Sequence, residues 1–280
     1  MTYYNPMPPS RSCADAWLDA ALRLDTEGPI YGLSLHIANP AHHSETDHAI
    51  IGEVDSLLRS YKAFPIVTVA NTIFPEDLWT PGDRDALYAR YDRLYPKIKR
   101  AAPDWGRYFR RMTDWPKARG GSENQLETLI MNLRKFGPAA PEEKNRYHMY
   151  EMTLFHPVRD ANKFRGRQCL SFIEIKPELD GDAVRLHMTA LYRSHFYISK
   201  TLGNLIGLSR LLNFIARETG HQPGTLTIHS TYAELDPGDV NEKRGSTKWN
   251  KSGASDLVKR CETIRAEHAS ARAEPLAQAG

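Results

Sequence analysis

The stretch AVRLHMTALYRSHFYISKTLGNLIGLSRLLNFIARETGHQPGTLTIHSTYAEL, residues 183–235, decides the fold. Ala183 to Tyr192 reads as a strand, because apolar and polar residues alternate with the two-residue period of a pleat. Leu202 to Thr219 is the most apolar helical segment of the chain and is expected to be buried, ending at Gly220. Thr225 to Leu235 reads as a second strand. Strand, helix and strand in succession argue for an α/β or α+β protein.

Working outward, the same pattern continues. Upstream, Tyr147 to Phe155 and Cys169 to Lys176 read as strands. Gln125 to Phe136 (QLETLIMNLRKF) is an amphipathic helix stopped by Gly137–Pro138. Residues 84–101 carry Leu87, Tyr88, Tyr91, Leu94 and Tyr95 at helical spacing. Phe64 to Ala70 (FPIVTVA) is β-rich, with a turn expected at Asn71. Ala49 to Tyr61 and Ala14 to Leu24 read as helices, and Ile30 to Ile37 as a strand. Residues 1–12 are an expected extended arm, 237–254 a loop, Asp256 to Arg272 a surface helix and 273–280 a frayed tail. No composition break divides the chain, so 1–280 is expected to form one domain.

Composition excludes several classes. Hydrophobic residues make up 41%, and 37 basic residues nearly balance 34 acidic ones for a net charge of +3, so no polyanionic partner is demanded. Cys13, Cys169 and Cys261 are odd in number and widely spaced, which suggests reduced thiols in a cytoplasm rather than a disulfide scaffold or zinc knuckle. The N-terminus has no apolar segment of the secretory kind, and no run approaches the roughly 20 apolar residues that span a bilayer.

Three segments carry a resemblance. One is Gln125–Lys135. Another is Phe155-His156-Pro157 followed by Cys169. The third is Tyr192-Arg193-Ser194 followed by Asn204, eleven residues after the Arg. Together they resemble the thymidylate synthase and pyrimidine nucleotide hydroxymethylase family over roughly residues 120–236. The resemblance implies a mixed, largely antiparallel sheet packed with helices, and a homodimer formed by stacking sheets back to back. It also implies transfer of a methyl or hydroxymethyl unit to C5 of a pyrimidine nucleoside monophosphate, with 5,10-methylene-tetrahydrofolate as donor. Cys169 would be the nucleophile, adding to C6; Arg165 and Arg167 lie close enough in sequence to depress its pKa. Arg193 and Ser194, after Tyr192, would hold the phosphate. Asn204 would read the pyrimidine edge, since a carboxamide both donates and accepts. His195, following Arg193-Ser194, is the best proton-shuttle candidate.

The chain also departs from the family. Leu170 follows Cys169 where the family has His, and the folate-contacting Asp falls on Phe196. The His and Tyr that hold the ribose hydroxyl fall on Glu234 and Asp236, and two carboxylates could accept from two hydroxyls, as in a ribonucleotide. The phosphate arginines lent by a second subunit fall near His148 and Met149, with Arg146 two residues away. Two other readings stand beside this one. The chain could be a catalytically silent nucleotide-binding or regulatory protein on the same scaffold. It could instead bind nucleic acid through Lys97, Lys99, Arg100, Arg107, Arg110 and Arg111, interleaved with Trp105, Tyr108 and Phe109. The segment His42, His43, Glu45, Asp47, His48 has metal-ligand residue types, but a solvated polar loop is the expectation and no metal is assigned.

Overall fold

The computed structural model describes residues 3–101, 108–138, 148–162, 167–238, 240–242 and 245–277, with backbone alone for 100–101 and 272–277. The first half holds β1 (Asn5–Pro6), α1 (Cys13–Glu27), β2 (Ile30–Ile37), α2 (Glu45–Ser60), α3 (Ile66–Ile73), α4 (Arg84–Ala101) and α5 (Tyr108–Thr113). Then come β3 (Trp115–Pro116), β4 (Ser122–Glu123), α6 (Gln125–Phe136), β5 (Glu151–Thr153) and α7 (Pro157–Asp160). The last third is β6 (Leu170–Asp180), β7 (Ala183–Tyr192), β8 (His195–Phe196), α8 (Leu202–Thr219), β9 (Gln222–Glu234) and α9 (Lys251–Ala277).

The main sheet runs β1-β2-β9-β7-β6-β5, with β8 also paired to β9. It is mixed: β2–β9, β6–β7 and β5–β6 are antiparallel, while β1–β2, β7–β9 and β8–β9 are parallel. The parallel centre is the βαβ unit read from residues 183–235, with α8 as its crossover. Antiparallel strands can be joined by a tight hairpin, and β6 turns into β7 this way, Asp180 pairing with Ala183. The proline-rich arm lies along the edge of β2, where Pro6 sits on an outer strand that tolerates its missing N–H.

One sheet face is the core. Leu186, Met188, Ala190, Leu226, Ile228, Ile173 and Ile175 are buried there, and α8 is buried on nearly every side, as its composition predicts. The other face is polar: His36 pairs with Thr227 at 3.2 Å, His229 with Ser34 at 2.9 Å and His187 with Thr225 at 2.9 Å, all across neighbouring strands.

The β-rich segment Phe64–Ala70 is helical from Ile66, and α3 runs on to Ile73 through the turn expected at Asn71. β-Branched Ile66, Val67 and Val69 favour a strand locally, but tertiary packing overrides that preference. Asp55 Oδ1 accepts the Ile66 N–H at 2.8 Å, and α3 then lies directly on α8. The seam has no room for side chains on α8: a Cβ at Gly203 would stand 2.6 Å from Val69 Cβ, and one at Gly207 2.7 Å from the Ala70 carbonyl oxygen. At the other end of the chain, α9 begins at Lys251, inside the expected loop, and continues to Ala277, beyond the expected end. Among the described residues no helix is long and apolar enough to cross a membrane.

Candidate functional site

Cys169 stands one residue before β6, at the sheet end where β7 leaves the core. Its carbonyl accepts the Arg193 N–H at 3.0 Å, extending the ladder in which Leu170 pairs with Tyr192. The Arg193 guanidinium folds back on the same segment, Nε donating to Gln168 O at 3.0 Å and Nη2 to Arg167 O at 3.3 Å. That uses two of its five N–H donors. Tyr108, on α5, accepts the N–H groups of Cys169 and Leu170 at its hydroxyl, each at 3.3 Å. Burial pushes the Cys169 thiol pKa above its ordinary value, and Arg193, Lys200 and Arg167, in that order, pull against the rise. The Tyr192 hydroxyl is buried without a hydrogen-bond partner among the described residues, and its pKa is driven up by burial first and then by Tyr108 and Cys169.

A second group starts where β7 ends. The His195 ring stacks on Tyr192, with centroids 4.0 Å apart and planes 10° from parallel. His195 Nδ1 lies 3.0 Å from Ser230 Oγ on β9, and Nε2 lies 3.2 Å from Asn204 Nδ2 on α8. All three are buried. Burial lowers the His195 pKa to about 3, so the ring is neutral near physiological pH. Between His195 and α8 the chain makes one π-helical turn, Tyr197–Thr201, anchored by Trp17 Nε1 donating to the Tyr197 carbonyl at 2.7 Å. Such a turn shifts the register of the helix beyond it, and with it the position of Asn204.

The two carboxylates have different tasks. Asp236 is 3% exposed, and its Oδ1 accepts the N–H groups of Ile198 at 2.9 Å and Ser199 at 3.1 Å. Its Oδ2 accepts from Gly238 at 3.3 Å. Burial raises its pKa, opposed first by the Ser199 hydroxyl, then by the Ser199 and Ile198 N–H groups and by Lys200. Glu234 accepts the Tyr232 hydroxyl at 2.9 Å and pairs in register with Phe196, an exposed aromatic. Ser194 is half-buried between the two groups. Thus the structure brings Cys169, Tyr192, Arg193, Ser194, His195 and Asn204 to one end of the βαβ unit, with Glu234 and Asp236 on the strand end beside them. Arg146 and Arg165 lie outside the described residues.

Three contributors were not read from the sequence as residues of this site. Tyr108 lies in the basic, aromatic stretch, yet its ring turns inward to the Cys169 segment. In the same stretch Arg110 pairs with Asp92 and Asp114, and Arg111 Nη2 meets the buried Asp160 at 2.8 Å. Lys200 is placed by the π-helical turn, and Ser230 is one hydroxyl in a Ser/Thr-rich strand. The polar segment 42–48 opens α2: Ser44 and Asp47 form a capping box, and Ser12 also bonds Asp47. A cleft of about 590 Å³ is lined by residues of α2, α3 and α8, among them Arg59 and Arg210, and by His43 ahead of α2, none of them a predicted site residue.

Fold and site together define an α+β protein with a half-buried thiol set among three cations at the end of a βαβ crossover. Comparison with known proteins finds relatives that share one name. A Methanosarcina barkeri protein named "Putative thymidylate synthase" is 41% identical over 128 residues, which is 46% of this chain and 51% of that protein. Like-named proteins of Methanosarcina mazei and Methanothermobacter thermautotrophicus are 39% identical over 128 residues and 35% over 81 residues, covering 51% and 35% of their own lengths. The chain therefore spans about half the length, or less, of these curated relatives. No family model matches it. The likeness supports a diverged thymidylate synthase-like family.

Proposed function

We propose that this protein transfers a one-carbon unit, methyl or hydroxymethyl, to C5 of a pyrimidine nucleoside monophosphate. The observation that carries the reading is the juxtaposition of Cys169 with Arg193 through the 3.0 Å main-chain bond, with Asn204 reached through the Tyr192–His195 stack. Cys169 as thiolate adds to C6, and the displaced electron pair makes C5 a nucleophile toward an electrophilic one-carbon donor. Loss of the C5 proton then expels the thiolate and restores the ring; from a donor at the formaldehyde oxidation level the new C5 methylene takes up water to give hydroxymethyl, whereas a methyl product also requires a hydride, which a reduced donor would supply. Arg193, Lys200 and Arg167 supply positive charge for the phosphate and for the thiolate. Asn204 hydrogen-bonds the base edge, and Ser194 adds to the phosphate. Glu234 is the carboxylate with most capacity left for a sugar hydroxyl, since main-chain N–H groups occupy Asp236.

Folate is the donor that the family implies. Phe196 does not fit that role: it holds no acceptor where the family places a carboxylate, and no step here is routed through folate. The polar sheet face around His36, His187 and His229 is the surface on which a second copy would stack. The elevated Cys169 pKa favours one other reading, a nucleotide-binding protein that forms no covalent bond. Intact-protein mass spectrometry after incubation with 5-fluoro-UMP or 5-fluoro-dUMP, with and without methylene-tetrahydrofolate, separates the two. An adduct on the wild type and none on Cys169→Ser supports transfer and names the sugar. Binding without an adduct supports the silent protein.

A further inference from the structure

A carboxamide is nearly symmetric in shape, so a pocket that uses one must fix which end faces the ligand. In this protein the neighbour able to do so is His195. Its Nε2 stands 3.2 Å from Asn204 Nδ2, while Asn204 Oδ1 has no hydrogen bond among the described residues. We infer that His195, held by Ser230 and by stacking on Tyr192, is a positioning residue that locks the Asn204 carboxamide with Oδ1 toward the base. The inference rests on the nucleotide-binding reading above and adds the device that sets base preference.

A neutral imidazole has one N–H donor and one acceptor nitrogen. With Nδ1–H donating to Ser230 Oγ at 3.0 Å, Nε2 is the acceptor and can take only an N–H, which is the Nδ2 end of Asn204. The Tyr192 face, 4.0 Å away and 10° from parallel, stops the ring from turning over. Oδ1 then presents an acceptor, and the remaining Nδ2–H a donor, to whatever lies beyond. A uracil edge answers with N3–H and O4. A cytosine edge answers with an N3 lone pair against Oδ1 and an amino group against the donor, both mismatched. His195 is thereby assigned to orientation and not to proton transfer.

The test compares equilibrium binding of UMP, dUMP, CMP and dCMP to wild type, His195→Phe and Ser230→Ala. Phenylalanine keeps a ring on Tyr192 but removes both nitrogens. Wild type is expected to prefer uracil nucleotides by about a hundredfold, on the order of the loss when buried polar groups are left unpaired. In both variants that ratio is expected to fall at least about tenfold, because the carboxamide can rotate to suit either base. Equal loss for uracil and cytosine nucleotides, with the ratio unchanged, would show a purely structural role and overturn the inference alone. Failure of wild type to bind any of the four overturns the nucleotide reading and the inference with it. Imidazole ¹⁵N shifts give a readout that needs no ligand: the Nδ1–H tautomer is expected, and the Nε2–H tautomer overturns the proposal even where nucleotides bind.

Discussion

The carbonyl of Cys169 accepts the main-chain N–H of Arg193 at 3.0 Å, so the residue bearing the thiol and the cation with the largest pull on it are joined by backbone and not by side-chain chance. Burial raises the thiol pKa and Arg193 is the largest opposing influence, with Lys200 next. Arg193→Ala and Lys200→Ala should each raise the pKa further. At pH 8, iodoacetamide should therefore alkylate Cys169 several-fold more slowly in either variant, on the order of one pKa unit. Peptide-resolved mass spectrometry reads this directly, and an unchanged rate would remove these cations from the thiol's environment.

Asp236 holds the turn that carries Lys200 and leads into Asn204. Asp236→Ala leaves the N–H groups of Ile198, Ser199 and Gly238 without their acceptor and should cost about 2–3 kcal/mol of stability. The loss should appear in urea unfolding of the protein alone. If stability were unchanged and only nucleotide binding fell, the carboxylate would belong to the ligand.

His195 makes stability pH-dependent with a definite sign. Its folded pKa is lowered to about 3, while the unfolded ring titrates near an ordinary 6.5, so on acidification the unfolded chain takes the proton first. Its contribution is complete above about pH 6.5 and is lost as pH falls toward 3, at up to about 1.4 kcal/mol per unit. Between pH 7 and pH 5 wild type should lose roughly 2 kcal/mol more than His195→Phe. Parallel losses in urea midpoints would contradict this.

The Tyr108 hydroxyl accepts two N–H groups from the Cys169 segment. Tyr108→Phe should destabilise by about 1–3 kcal/mol through those orphaned donors and speed hydrogen exchange at Leu170. Exchange equal to wild type would mean that another acceptor takes over.

Much of this was legible in sequence because the signals were local. β2, α6, β7 and α8 appear at their expected bounds, where alternation, helical spacing and terminal Gly agree. Cys169, Arg193 and Asn204 were singled out through the family resemblance, and the hairpin and the crossover bring them to one sheet end. The elements that escaped depend on distant partners. α3 was misread because Gly203 and Gly207, more than 130 residues later, decide its state. Tyr108 and Cys169 are 61 residues apart, and Asp236 serves N–H groups 37 and 38 residues upstream. A solitary Ser230 carries no pattern, and Tyr108 was read only as one aromatic of a basic stretch, since the meaning of each is a partner's position.

Asn204 comes directly after one of the two glycines of the α3–α8 seam, and a side chain at either would meet α3. Gly203→Val should cost about 1–3 kcal/mol by overpacking and lower the melting temperature accordingly. The same displacement would carry Asn204 away from His195. If Asn204 reads the base as proposed, heat resistance and choice of base are coupled along this seam, and a laboratory selection for one is expected to drag the other. A designer wishing to retune recognition should begin at Ser230 and leave the glycine seam untouched.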